Sequence, residues 1–203
     1  FDAYSFTVNI AAEVKGFEDA DLDIPVELEQ FAGRSTKFAL SACKEAMQHA
    51  GLNLDTLDPT MFGISLGGNE ETSKLSDFSN TYRDDNLLSS LQNRDLSYFS
   101  NSKDLAKIWA VRRCAHTTAN ILSILYNIQG PVSTSSTACA SSAQAIGKAM
   151  RMIEYGDADI MITGGSDSII TEFSVAGFGL LGALSKNNDH PESASRPFDL
   201  KRD

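Results

Sequence analysis

No apolar run in the chain approaches the roughly 20 residues that a membrane-spanning helix needs, so no bilayer span is expected. Basic residues are outnumbered: 17 Lys and Arg stand against 27 Asp and Glu, for a formal charge of −10. That balance disfavours nucleic-acid binding, because replacing phosphate counterions needs a basic face. Cysteine is sparse. The three present, at positions 43, 114 and 139, make neither a C-x-x-C metal spacing nor an even set for disulfides. They fit a reducing, cytoplasmic setting, and neither a metal nor another cofactor is expected. An initiating Met is lacking, and so is a signal peptide. Phe1 opens directly onto a polar, acidic stretch, and residues are expected to be missing upstream. The absence of any internal repeat argues against a solenoid or propeller.

What is present suits an ordinary globular core. Of the 203 residues, 42% are hydrophobic and 22% charged, as in one domain or one large domain with an insertion. "SFTVNIAAEV", Ser5 to Val14, partly alternates and reads as a strand. From Arg34 to Ala50, a helical stripe joins Phe38, Ala39, Cys43, Ala46, Met47 and Ala50, and Gly51 stops it. "TMFGISLGG", Thr60 to Gly68, reads as a buried strand. Residues 69–108 are polar and read as an insertion with short helices. A helix is expected from about Thr117 to Asn127, stopped by Gly130 and Pro131, then a strand over 132–137. A helix over 140–155 follows, with Ala143, Ile146, Ala149, Met150 and Ile153 as its buried stripe and Gly156 at its C-cap. "ADIMITGGSD" closes the pattern as another strand. Strands alternating with helices imply an α/β fold with a mixed or parallel sheet.

Cys139 falls where the strand over 132–137 turns into the next helix. A strand feeding a helix through a tight turn lifts the turn residue onto a ledge. The helix start supplies unpaired N–H groups and partial positive charge. A thiolate is stabilised there, and the same N–H groups can hold an oxyanion formed when sulfur attacks a carbonyl. The small neighbours Ala138, Ala140, Ser141 and Ser142 let a narrow substrate approach. On the residues alone, a second reading stays open: an inert, buried cysteine. Cys43, on a helix stripe, reads as core packing, and Cys114 reads as packing too. A cysteine nucleophile usually wants a histidine partner. His49 reads as a helix-end residue, His190 as a loop residue and His116 as the start of a helix. None makes a convincing base.

"TACASSAQAIGKAMRMIEYGDADIMITGGSDS", followed by "GFGLLGALS" and "ASRPFDLKRD", closely resembles β-ketoacyl-acyl-carrier-protein synthases of type II fatty-acid and polyketide synthesis. Weaker similarity reaches back through "GISLGG" to "TVNIAAEVKGF". The resemblance implies a thiolase-like fold, here its N-terminal half over residues 1–203, with a mixed five-stranded sheet and flanking helices. In that family the cysteine of the T-A-C motif, here Cys139, takes the acyl group as a thioester. Its backbone N–H is then one oxyanion-hole donor. Two histidines in the C-terminal half promote decarboxylation of malonyl-carrier protein, within motifs this chain does not contain. The implied reaction is a decarboxylating Claisen condensation giving β-ketoacyl-carrier protein, with only the nucleophile half carried here. Implied partners are acyl carrier protein, as acyl- and malonyl-carrier protein, and a second copy or a related synthase subunit. In the family, the strand before the cysteine pairs with its copy across a two-fold axis.

Arg112 and Arg113 lie in "IWAVRRCAHTT", where relatives have a less charged stretch that lines the acyl pocket. They put the usual acyl preference in doubt; they either face the acidic carrier protein or are solvated, and solvation is the expectation. Other readings are a non-decarboxylating thiolase and a non-catalytic partner of the chain-length-factor kind. Retention of Cys139 counts against the latter. A hydrolase with a nucleophile elbow wants glycine two residues either side of the nucleophile, where this chain has Thr137 and Ser141.

Overall fold

The computed structural model describes residues 6–17, 22–68 and 111–203. The expected insertion over 69–108 lies outside the described residues. Those described form two compact units, 22–68 with 111–168, and 6–17 with 169–203.

The first unit runs α1 (Val26–Glu29), α2 (Arg34–His49), β1 (Phe62–Gly67), α3 (Thr117–Leu125), β2 (Val132–Ser135), α4 (Ser141–Glu154) and β3 (Ile160–Gly165). The strands form one sheet in the order β2-β1-β3, with both pairings parallel. Parallel strands that follow one another in the chain require a crossover, and α4 supplies it between β2 and β3, on either side of β1. β1 is central and buried along its whole length. Its alternation sorts the two faces. Phe62, Ile64 and Leu66 join Leu40, Cys43, Met47, Ala119, Ile121 and Leu122 in one apolar cluster, so α2 and α3 cover that side. Gly63, Ser65 and Gly67 alternate to the opposite side, and Gly67 lies against the start of α4.

That second face explains how α4 sits. A Cβ on Gly67 would run into the backbone of Ser141 and Ser142, and one on Gly165 into the Ser142 hydroxyl. Without side chains at these strand ends, the first turn of α4 can lie directly on the sheet. Close approach selects the small face of the helix, so Ser141, Ala145 and Ala149 are buried. The stripe expected inside is therefore only partly right. Ile146, Met150 and Ile153 are 51%, 54% and 45% exposed, and Ala143 is exposed as well. In α2 the buried positions are Thr36, Leu40, Cys43 and Met47, while Ala46 and Ala50 of the expected stripe are exposed.

Helix ends follow the residues expected to set them, with one exception. Gly51 (φ 62°) and Gly156 (φ 77°) adopt left-handed conformations after α2 and α4. The Leu52 N–H then reaches the Met47 C=O at 3.1 Å, and the Asp157 N–H the Met152 C=O at 2.9 Å, closing both helices with the pattern glycine favours. The end of α3 is set earlier than Gly130. Asn127 turns left-handed at φ 51°, and the Ile128 N–H bonds back to the Ser123 C=O at 2.9 Å.

In the second unit, residues 6–14 are irregular, not the strand that alternation suggested. Of its alternating positions Val8 is buried, but the backbone is held by a side chain and not by a neighbouring strand. The Asn9 N–H donates to Asn188 Oδ1 at 3.1 Å, and Asn188 Nδ2 donates to the Thr7 C=O at 2.9 Å. The expected five-stranded mixed sheet is thus represented among the described residues by three strands, all parallel. α5 (Glu172–Leu180) starts at Thr171, whose hydroxyl accepts from the Ser174 N–H at 3.4 Å. At the chain end, Asp203 accepts from Ser185 Oγ at 2.8 Å and from the Lys186 N–H at 2.7 Å. Those two bonds hold its carboxyl below the ordinary carboxylate range. The "SRPFDLKRD" segment so folds back on "LSKN".

Candidate active site

Cys139 lies in a single 3-10 turn, Ala138–Ala140, between the end of β2 and the first residue of α4. Its position is the strand–turn–helix junction expected from sequence. The side chain is exposed among the described residues. Four unpaired N–H groups and the positive end of the helix dipole gather at the start of a helix such as α4. Ala138 and Ala140 are also exposed, so nothing bulky flanks the sulfur in sequence.

The turn is tighter than the sequence revealed. Ala138 has φ 50°, in the left-handed region where a non-glycine residue costs about 1–2 kcal/mol. Ser141 holds it there. Its hydroxyl donates to the Ala138 C=O at 2.7 Å and accepts from the Thr137 N–H at 2.8 Å. Ser141 is only 4% exposed, so this small residue faces inward and does not open the approach to Cys139. The Ala140 N–H closes onto the Thr137 C=O at 3.1 Å. Thr137 Oγ1 donates to Gln144 Oε1 at 3.0 Å, one turn along α4.

The other thiols are placed differently. Cys43 is buried in the α2–α3 core, as expected, and burial pushes its thiol up to about 11, so it stays protonated near neutral pH. Cys114 is exposed and not packed as expected. It borders a cavity of about 500 Å³ between α2 and β3, with Ala39, Ala46, Ile162 and Arg112 also in the wall. Cys139 does not line that cavity. Arg112 is exposed, as expected, and its Nε also donates to the Gln30 C=O at 2.7 Å.

The histidines are scattered, as expected. His49 ends α2, His116 immediately precedes α3 and makes no capping bond with its side chain, and His190 lies 4.0 Å from Glu192 in the second unit. Among the described residues no cluster of three or more His, Cys, Asp or Glu could hold a metal ion. No helix of the described residues is long and apolar enough to cross a membrane.

A central parallel strand flanked by crossovers, with an exposed cysteine on the turn into the helix packed under the sheet, defines an α/β protein with a thiol poised on a ledge. The β-ketoacyl synthase N-terminal domain matches residues 4–203, and the chain belongs to that family. A 3-oxoacyl-(acyl-carrier-protein) synthase 2 of Coxiella burnetii is 30% identical over 203 residues, covering 100% of this chain and 45% of the relative. An actinorhodin polyketide putative β-ketoacyl synthase 1 of Streptomyces coelicolor is 34% identical over 212 residues, with 100% and 42% covered. The crystal structure of a β-ketoacyl synthase from Burkholderia phymatum superimposes with a TM-score of 0.78 at 28% identity, covering 98% of this chain and 45% of that one. That likeness makes the fold thiolase-like. The chain spans somewhat less than half the length of these relatives.

Proposed function

We propose that residues 1–203 carry the nucleophile half of a β-ketoacyl synthase, and that Cys139 is its acyl acceptor. One observation carries this reading: Cys139 is exposed on a turn that leads directly into α4, in a chain of that family. The Cys139 thiolate attacks the carbonyl carbon of an acyl thioester on acyl carrier protein. A new carbon–sulfur bond forms to Cys139, and the carrier's thiolate leaves. Condensation follows when malonyl-carrier protein loses CO₂ and its enolate attacks the Cys139 thioester, releasing the thiolate of Cys139. The product is β-ketoacyl-carrier protein, in fatty-acid or polyketide synthesis as in the named relatives, in the cytoplasm. Iodoacetamide labelling with peptide mapping tests the assignment. Cys139 is expected to react first, ahead of exposed Cys114 and buried Cys43; preferential modification of Cys43 would sink it.

We further propose that the protein is a homodimer, or a heterodimer with a related subunit, joined through β2. Among the described residues β2 is an edge strand, not one enclosed within the sheet. The Ile64 N–H bonds to the Pro131 C=O at 2.8 Å and the Gly68 N–H to the Ser135 C=O at 3.1 Å. In a parallel ladder this alternation leaves the backbone groups of Val132 and Thr134 facing outward. An unpaired edge is a template for another strand, and a two-fold pairing would satisfy it. Thr134→Pro removes an outward N–H while sparing the bonds to β1. It is expected to shift sedimentation from dimer to monomer, and a dimer of undiminished stability would exclude β2 as the interface.

A further inference from the structure

We infer that Ser141 is a positioning residue for Cys139, acting through the backbone of the turn and never touching the acyl group. The inference rests on the reading of Cys139 as acyl acceptor and assigns the residue that holds it in place. Two features meet at Ser141. On one side, α4 is fixed to the sheet. Gly67 and Gly165 leave no room for a Cβ beneath Ser141 and Ser142, so the first turn of the helix lies directly on these strand ends. On the other side, Ala138 is held left-handed at φ 50°, a conformation an alanine leaves unless its surroundings enforce it.

The Ser141 hydroxyl links the two. It donates to the Ala138 C=O and accepts from the Thr137 N–H, so both bonds span Cys139 in sequence. The residue is buried, and its hydroxyl has both hydrogen-bonding roles filled within the turn. Removing it leaves the Ala138 carbonyl and the Thr137 N–H without that partner. The left-handed turn is then no longer favoured, and Cys139 is released from its place ahead of α4. Burial of Ser141 and exposure of Cys139 separate the roles: one sets geometry, the other meets the reagent.

The three cysteines make the test internally controlled. Iodoacetamide labelling of this chain, followed by peptide mapping, reads Cys139 against exposed Cys114, while buried Cys43 reports unfolding. In Ser141→Ala the ratio of Cys139 to Cys114 labelling rates is expected to fall about tenfold, the order expected for losing one or two structural hydrogen bonds. Cys43 stays protected. Ser141→Thr, which keeps a hydroxyl on the same carbon, restores the ratio. An unchanged ratio in Ser141→Ala overturns the inference. So does labelling of Cys43 in that variant, which would make Ser141 a support of the fold only, and so does failure of Ser141→Thr to restore the ratio while Cys43 stays protected. If Cys139 in the unaltered chain reacts no faster than Cys114, the acyl-acceptor reading itself fails, and the role given to Ser141 fails with it.

Discussion

Alanine in place of Cys139 is expected to abolish acyl transfer from acyl carrier protein to the chain, a fall on the order of 10⁴-fold or more, as for other lost nucleophiles. The cause is chemical and not structural. Cys139 is exposed, and surface substitutions away from special features usually change stability by no more than about 0.5 kcal/mol. A Cys139→Ala variant should therefore keep the unfolding midpoint of the unaltered chain while losing the acyl adduct. Cys114→Ala is the control. Its thiol is exposed too, yet it precedes α3 and borders a cavity that Cys139 does not reach. Acyl transfer should survive that change. Loss of acylation in Cys114→Ala with retention in Cys139→Ala would reverse the assignment.

A second large effect concerns the later half of the reaction. This chain alone is expected to give no multiple-turnover condensation when supplied with acyl- and malonyl-carrier protein. Acylation needs the thiol and a place for an oxyanion. Extension needs in addition groups that hold the negative charge of the enolate, and loss of a single such donor costs about 10²–10³ in rate. His49 and His116 stand at helix ends and His190 lies in the second unit, and none reads as a base for this chemistry. β-Ketoacyl-carrier protein detected by mass spectrometry over many turnovers would show that a base is present after all. His116 would then be the first residue to replace.

The same reading accounts for α4. A helix with small residues on one face and Ile146, Met150 and Ile153 exposed on the other is apolar on two sides. Such helices belong to an interior layer, between a sheet and a further element.

That stripe also shows what was legible in the sequence and what was not. Period 3.6 located α2, α3 and α4 to within a residue or two at most ends, because Gly51 and Gly156 close their helices by left-handed turns that local chemistry dictates. It did not say which apolar face of α4 meets the sheet. Gly67 and Gly165, on β1 and β3, bring the first turn of α4 onto the sheet at Ser141 and Ser142, and the face that continues from there carries Ala145 and Ala149. The strand reading failed over residues 6–14 for a similar reason: alternation supplies a face, and only a neighbouring strand makes a ladder. Asn127 outranked Gly130 because a left-handed asparagine sufficed to end α3. At the candidate site, the place of Cys139 was visible from a β-prone run followed by small residues and a helical period. The left-handed Ala138 and the inward turn of Ser141 were not, since serine beside a nucleophile reads equally as an open approach.

The most direct measurement is the site of the acyl group itself. The chain is incubated with acyl carrier protein loaded with a labelled acyl thioester, digested, and its peptides are read by mass spectrometry under conditions that preserve thioesters. One acyl mass on the peptide containing Cys139, removed by hydroxylamine and absent from Cys139→Ala, is the predicted result. The acyl mass on Cys43 or Cys114, with the Cys139 peptide unmodified, would contradict the assignment.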